Sequence, residues 1–277
     1  MSKTIKLLEQ DLVRAGYVAG TRKSYLAAAR GLEEHAGKPI SRITREEVRK
    51  YVDAVMARPV GGGSKRTRLQ GLLFLYRRTL GKPEMVSFIK LPKVCSKLPT
   101  VLSKGEVKRL LDGIRDVRYQ AVAMVMYGAG LRISEALTLE VTDIDAPRNV
   151  VRVRYGKGGK EREAKLSPVL YVWLRGYWRR MRPPLPYLFA NSRGRLPTHS
   201  TVGRAVAKAA KQVGIRKSVS PHVLRHSFAT HLLEEGADIR VISALLGHAS
   251  IRATTRYARV TEKLVRQMPS PLELLPR

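Results

Sequence analysis

His222 and Arg225 stand three residues apart, His248 follows 23 residues beyond Arg225, and Tyr257 nine beyond that. Two imidazoles, a guanidinium and a phenol fall within 36 residues of a chain whose formal net charge is +31. Such a set could grip a phosphodiester and then attack it, because guanidiniums fork onto phosphate oxygens and a phenol oxygen can act as a nucleophile. Each residue alone also has a plainer reading. His222 could be an incidental polar group on a core helix, His248 a helix cap, and Tyr257, flanked by Arg256 and Arg259, half-buried packing. The pair His222 and Arg225 favours the chemical reading, since two such groups on one helical face favour an anion between them.

More candidates lie upstream. GAGLRISEALTLEVTDID puts Arg132 and Glu135 on one helical turn. YGKGGKER carries Lys157 and Lys160, where glycines allow a tight turn that could push an ammonium into a groove. On their own, the cations of this stretch would read as a solvated basic face.

These residues need elements to hold them. His222 to Leu233 reads as one helix with Pro221 in its first turn, and Gly247 stands where the next helix ends. Residues 149–166 alternate apolar and basic, turn at GKGG and return, which predicts a β-hairpin. Upstream of it, Ser103 and Glu106 are spaced as a capping box, and helices follow through LDGIRDVRYQAVAMVMYGAG and LRISEALTLE. Downstream, 167–181 reads as helix, PPLPYLFA as a loop and short strand, and the remainder to about 268 as helix. The first 80 residues read as four short helices. One stops at Gly37, the next has a capping box at Thr44 and Glu47 and stops at Pro59, and Gly61–Gly63 form a flexible turn into a basic fourth helix. GKPEMVSFIKLPKVCSKLPT has three prolines and no sustained period, so it reads as an extended interdomain linker. The expected division is a helical domain over 1–82, a linker over 83–100 and a second domain over 101–277, the whole mainly α with one small β-sheet or hairpin.

Length and composition agree. At 277 residues two domains are the better expectation, and 44% hydrophobic residues suffice for a sizeable core. Lys and Arg outnumber Asp and Glu by 53 to 22, a surplus that points to a polyanion, nucleic acid before an anionic membrane. The sequence has no apolar run of about 18 residues and no signal-peptide pattern. Cys95 is the single cysteine, which rules out an intrachain disulfide and a cysteine-rich zinc site, and a cytoplasmic location fits.

Taken together, GLRISEAL, GKGGKER, HVLRHSFATHLLEEG, LLGHASI and TTRYARV make the chain resemble the tyrosine recombinases, or λ-integrase family, over nearly its whole length. It looks nearest to Xer-type and small phage or transposon integrases. The family order of arginine, lysine, histidine-x-x-arginine, histidine and tyrosine maps onto Arg132, Lys157, His222, Arg225, His248 and Tyr257 without a gap. The resemblance implies that Tyr257 attacks the phosphodiester to give a 3′-phosphotyrosyl link, while Lys157 protonates the leaving 5′-oxygen, with Lys160 as its rival on the same hairpin. It further implies that His222 assists proton transfer, that His248 donates a hydrogen bond to the phosphate, and that Glu135 orients neighbouring groups. Arg132 and Arg225 would clamp the non-bridging oxygens, doing what a metal otherwise does; no metal and no cofactor are expected.

The N-terminal helices resemble the family's SAM-like core-binding domain, which would form a C-shaped clamp on duplex DNA with the catalytic domain. Lys65, Arg66, Arg68, Arg77 and Arg78 are the candidates for phosphate contacts there, together with Lys160. The tail ending in PSPLELLPR would dock in a neighbouring protomer, linking a homo-tetramer on synapsed double-stranded DNA sites from chains that are monomers or dimers when free. The alternatives are a type IB topoisomerase-like relaxing enzyme and a non-catalytic DNA-binding relative. An integron integrase fits less well, because the stretch from Leu188 to His222 is short for that group's extra helical insertion.

Overall fold

Ser2, Thr44, Ser103 and Ser167 each begin a helix by offering a side-chain oxygen to a backbone N–H one turn further on. At Thr44 and Ser103 the reciprocal bond from Glu47 and Glu106 is also made, so both capping boxes read in the sequence are present. The computed structural model describes residues 2–93, 99–154 and 161–247. The chain divides into two compact units, Met1–Lys97 and Leu98–Arg277.

The first unit is helical: α1 (Lys3–Arg14), α2 (Ala19–Ala36), α3 (Arg45–Ala57) and α4 (Gly62–Phe74), the last running on into a π-turn over Leu75–Thr79. Leu8, Leu12, Leu32, Tyr51, Leu69, Leu72 and Leu75 fill its core. Gly71 lets α4 lie close on α2, since a Cβ there would stand 3.0 Å from the Tyr25 Cα. Two expectations are corrected here. The flexible turn over Gly61–Gly63 is instead a helix start. Gly61 is the extended N-cap, its carbonyl accepts from the Ser64 and Lys65 amides, and Gly62 and Gly63 form the first turn of α4. The stretch from 83 is not extended linker at its beginning. Pro83–Val86 form a 3-10 turn, and Val86 and Ile89, three apart, are buried in the unit's core. Phe88 lies under the guanidiniums of Arg45 and Arg49, 5.9 and 4.9 Å from its ring centre.

In the second unit the helices are α5 (Lys104–Gly113), α6 (Val117–Gly128), α7 (Ile133–Leu137), α8 (Pro168–Met181), α9 (His199–Gln212), α10 (Pro221–Glu234) and α11 (Ile239–Leu246). A small antiparallel sheet, β1 (Ile144–Asp145), β2 (Val150–Val153) and β3 (Arg162–Lys165), interrupts the series in the order β1-β2-β3. Val151 pairs with Ala164 and Val153 with Arg162, so the hairpin read in the sequence forms, with β1 added at its edge. Ala121, Val122, Val125 and Met126 of α6 and Leu224 of α10 lie in the core. Pro221 opens α10 at its first position, as expected, and nine residues of that helix are buried around most of its circumference. PPLPYLFA forms no strand beyond a single bridge from Tyr187 to Glu140, because Pro183, Pro184 and Pro186 bring no amide donors to a ladder.

Candidate active site

At the end of α6 the chain must reverse to enter α7, and Gly130 does this with φ +64°. A Cβ there would also collide with the Phe228 ring on α10, so the turn closes directly onto that helix. The reversal delivers Arg132 as the N-cap of α7 and Glu135 three residues on. Glu135 Oε2 accepts from the Arg132 amide at 2.7 Å and Oε1 from the Arg132 guanidinium at 2.6 Å. The sequence-predicted pair on one helical turn is thus a capping box closed by an ion pair.

Two further guanidiniums meet the same carboxylate. Arg162, the first residue of β3, donates to Glu135 Oε2 at 2.8 Å, and Arg225 of α10 lies 3.6 Å from that oxygen. The Glu135 side chain is 1% exposed, Arg225 5%, Arg162 10% and Arg132 20%, so Arg132 is the guanidinium of the cluster most open to solvent. Burial alone would raise the Glu135 pKa; the hydrogen bonds and charges of Arg162 and Arg132 outweigh it and hold the carboxyl below its usual 4.5.

The same three arginines cap α11. Arg162 Nε donates to the Leu245 carbonyl at 3.1 Å, Arg225 to that of Leu246 at 2.6 Å, and Arg132 to that of Gly247 at 3.1 Å. Carbonyls at a helix C-terminus lack helical partners and carry the negative end of the dipole, and here three successive ones each take a different cation. Arg225 also donates to the Gly130 carbonyl at 2.6 Å, which ties α10 to the turn before α7. Gly247 ends α11 in the left-handed region, as its position in LLGHAS suggests. Three guanidiniums against one carboxylate leave the cluster positive, in a setting where charge is poorly screened.

His222 sits in the first turn of α10, one turn before Arg225. Its side chain is exposed on one side, yet the protein packed around the rest removes hydration and lowers its pKa below 6.5, with the charges of Arg225, His199 and Arg132 adding to the effect. The shift favours the neutral imidazole, the form that can accept a proton.

Arg132, Glu135, His222 and Arg225 are thus brought together from a turn and two helices. Lys157, Lys160, His248 and Tyr257 lie outside the described residues, as do Cys95 and the tail. Arg162 was not singled out in the sequence; its one signal was a place on the return strand of a hairpin already of interest. On the first unit, Arg77 and Arg78 are exposed in the π-turn, whereas Lys65 donates to the Met56 carbonyl at 2.6 Å and Arg66 to that of Pro92 at 3.2 Å. Arg68 lies along α2 near Gly31. No helix among the described residues is long and apolar enough to cross a membrane.

The fold and the cluster define a two-unit, mainly helical chain whose second unit gathers guanidiniums around a buried carboxylate. Residues 100–263 match the Phage integrase family, and residues 5–84 match the Phage integrase N-terminal SAM-like domain. The chain belongs to this family, the tyrosine recombinases, whose members cleave and rejoin DNA. It is similar to integrase/recombinase y4qK of Sinorhizobium fredii, at 41% identity over 98% of this chain and 88% of that protein. With tyrosine recombinase XerA of Pyrococcus furiosus it shares 39% identity over 72% of this chain and 71% of that one. Its fold is like that of a λ integrase fragment solved as a dimer bound to a core site, with TM-score 0.75 at 16% identity over 93% and 94% of the two chains.

Proposed function

We propose that this chain is a site-specific recombinase that cuts and rejoins double-stranded DNA through a 3′-phosphotyrosine at Tyr257, without metal or ATP. The observation that carries the reading is the convergence of Arg132, Arg225 and His222 in a cluster that stays cationic around Glu135. The phosphorane between substrate and product carries about two negative charges, and preorganised cations stabilise it more than the ground state. In the forward step the Tyr257 phenol oxygen bonds to phosphorus and the bond from phosphorus to the 5′-oxygen breaks. The phenol proton passes toward His222, and the leaving oxygen takes a proton from Lys157. His248 donates a hydrogen bond to the phosphate. Reversal with a 5′-hydroxyl from another strand rejoins DNA with no external energy source, since the phosphotyrosyl link keeps the bond energy.

In the same reading, residues 1–82, with the following turn that packs Val86 and Ile89 into their core, form the DNA-binding domain, and 101–277 the catalytic domain. Arg77 and Arg78 contact phosphates from the first unit, with Lys65, Arg66 and Arg68 as further candidates there, and Lys160 is a candidate on the second. The protein works in the cytoplasm as a tetramer on two synapsed sites, assembled through tail exchange. The decisive test is to select binding duplexes from a random-sequence pool, nick them beside the scissile position and incubate them with the protein. An SDS-resistant adduct on a peptide containing Tyr257 is expected, and no adduct on any selected duplex overturns the reading. Removal of residues 269–277 is expected to impair pairing of two sites far more than binding to one, as read by gel shift. Equal loss of both would mean that the tail caps its own domain.

A further inference from the structure

The hairpin β2–β3 ends next to the residues that the recombinase reading makes the acid loop, and arginines tether both of its strands at that end. Arg154, the residue after β2, bonds Glu140 at 2.7 Å and Asp143 at 2.6 Å, and donates to the Thr142 hydroxyl at 2.9 Å. These partners belong to the segment that leads into β1. Arg162, opposite Val153, reaches instead into the arginine–carboxylate cluster.

Its two bonds point to separate elements. One goes to Glu135, which itself holds Arg132; the other goes to the Leu245 carbonyl at the end of α11. The aliphatic part is seated against Gly247, where a Cβ would stand 2.6 Å from the Arg162 Cδ and 2.9 Å from its Nε. The remaining terminal nitrogen, NH1, is buried with no hydrogen-bond partner among the described residues. A buried, unsatisfied donor is costly, and its retention calls for an explanation beyond stability. A strand arginine placed only for solubility would face water and touch none of these groups.

We infer that Arg162 is a positioning residue: it fixes the base of the hairpin that carries Lys157 against the Arg132–Glu135 pair and the end of α11, so that the acid is registered on the same phosphate that the arginines hold. The inference rests on the recombinase reading. Only a forked side chain can make both bonds, so lysine preserves the charge opposite Glu135 but not the geometry.

The test compares single-turnover cleavage of two nicked duplexes selected from the random pool, one ordinary and one with a 5′-bridging phosphorothiolate, whose sulfur leaves without needing a proton. Lys157→Ala is the reference: slow on the ordinary duplex and restored on the phosphorothiolate. Arg162→Gln is expected to cut the ordinary duplex about 10- to 100-fold more slowly than wild type, the order that an ångström of misplacement costs, and to come within about threefold of it on the phosphorothiolate. DNA binding should be unchanged. A merely structural role would depress both substrates alike, and that result, or no deficit at all, overturns the inference. Should Arg162→Gln fail to unfold cooperatively, Arg162→Lys is read in the same way, with a smaller deficit that narrows on the phosphorothiolate. Absence of an adduct from wild type on both duplexes would sink the recombinase reading, and the inference with it. A wild-type adduct with equal deficits in the variants would remove the inference alone.

Discussion

Tyr257→Phe should bind its DNA within about twofold of wild type and form no SDS-resistant adduct, a loss of at least ~10⁴-fold, the order that removing a nucleophile costs. The substitution removes one oxygen from a chain in which Lys and Arg outnumber Asp and Glu by 53 to 22, and a basic surplus of that kind carries most of a protein's general affinity for DNA. In the proposed mechanism His222 takes a proton and Arg132 and Arg225 hold the phosphate, so the attacking oxygen is left to Tyr257, while Cys95 lies far away in sequence in the interdomain stretch. The phenol, with an ordinary pKa near 10, needs help to ionise at neutral pH. In the proposed mechanism the positive cluster and the His222 imidazole supply that help. An adduct from the Phe variant would show that another residue attacks.

Glu135→Ala should be the most damaging substitution away from the nucleophile. It leaves one buried and two partly buried guanidiniums facing one another without their carboxylate, and breaking a buried pair from one side costs about 3–5 kcal/mol. That is a large part of the roughly 5–15 kcal/mol that holds a domain together. Urea unfolding would measure it, and a change below about 1 kcal/mol would contradict the central place given to Glu135. The acid limb offers a second readout. Because the folded pKa of Glu135 lies below its usual 4.5, its stabilisation is fully present above that value and is lost as pH falls through the folded pKa. Glu135→Gln keeps an acceptor but cannot titrate, so the stability of that variant should fall less steeply in the same acid window.

Much of this site was legible because chemistry and local structure share the same letters. Arg132 and Glu135 are spaced to cap a helix, and the cap is what holds them together. Pro221 starts a helix, so His222 and Arg225 had to fall on one face of it. Arg162 was not legible. In a chain this basic, an arginine on an alternating strand looks like one more solvated charge, and only the fold reveals that β3 runs beside Glu135 and the end of α11. Val86 and Ile89 escaped for a different reason: a 3-10 turn among prolines leaves too short a period to recognise, although both side chains are core. The turn at Gly61–Gly63 misled through composition, since glycine serves as an N-cap as readily as it loosens a loop.

The arginines that close the end of α11 also bear on the order in which the molecule comes together. Arg132 meets Gly247 across 115 positions of sequence, and Arg162 meets Leu245 across 83. Contacts of that separation pay their loop-closure entropy before they return any stabilisation, so they form late, after the nearby helices and the hairpin. Until α11 docks, the three arginines lack the Leu245, Leu246 and Gly247 carbonyls and are tied only through Glu135 and the Gly130 carbonyl. The full set of bonds that fixes the arginine cluster is therefore expected only once α11 has closed onto it.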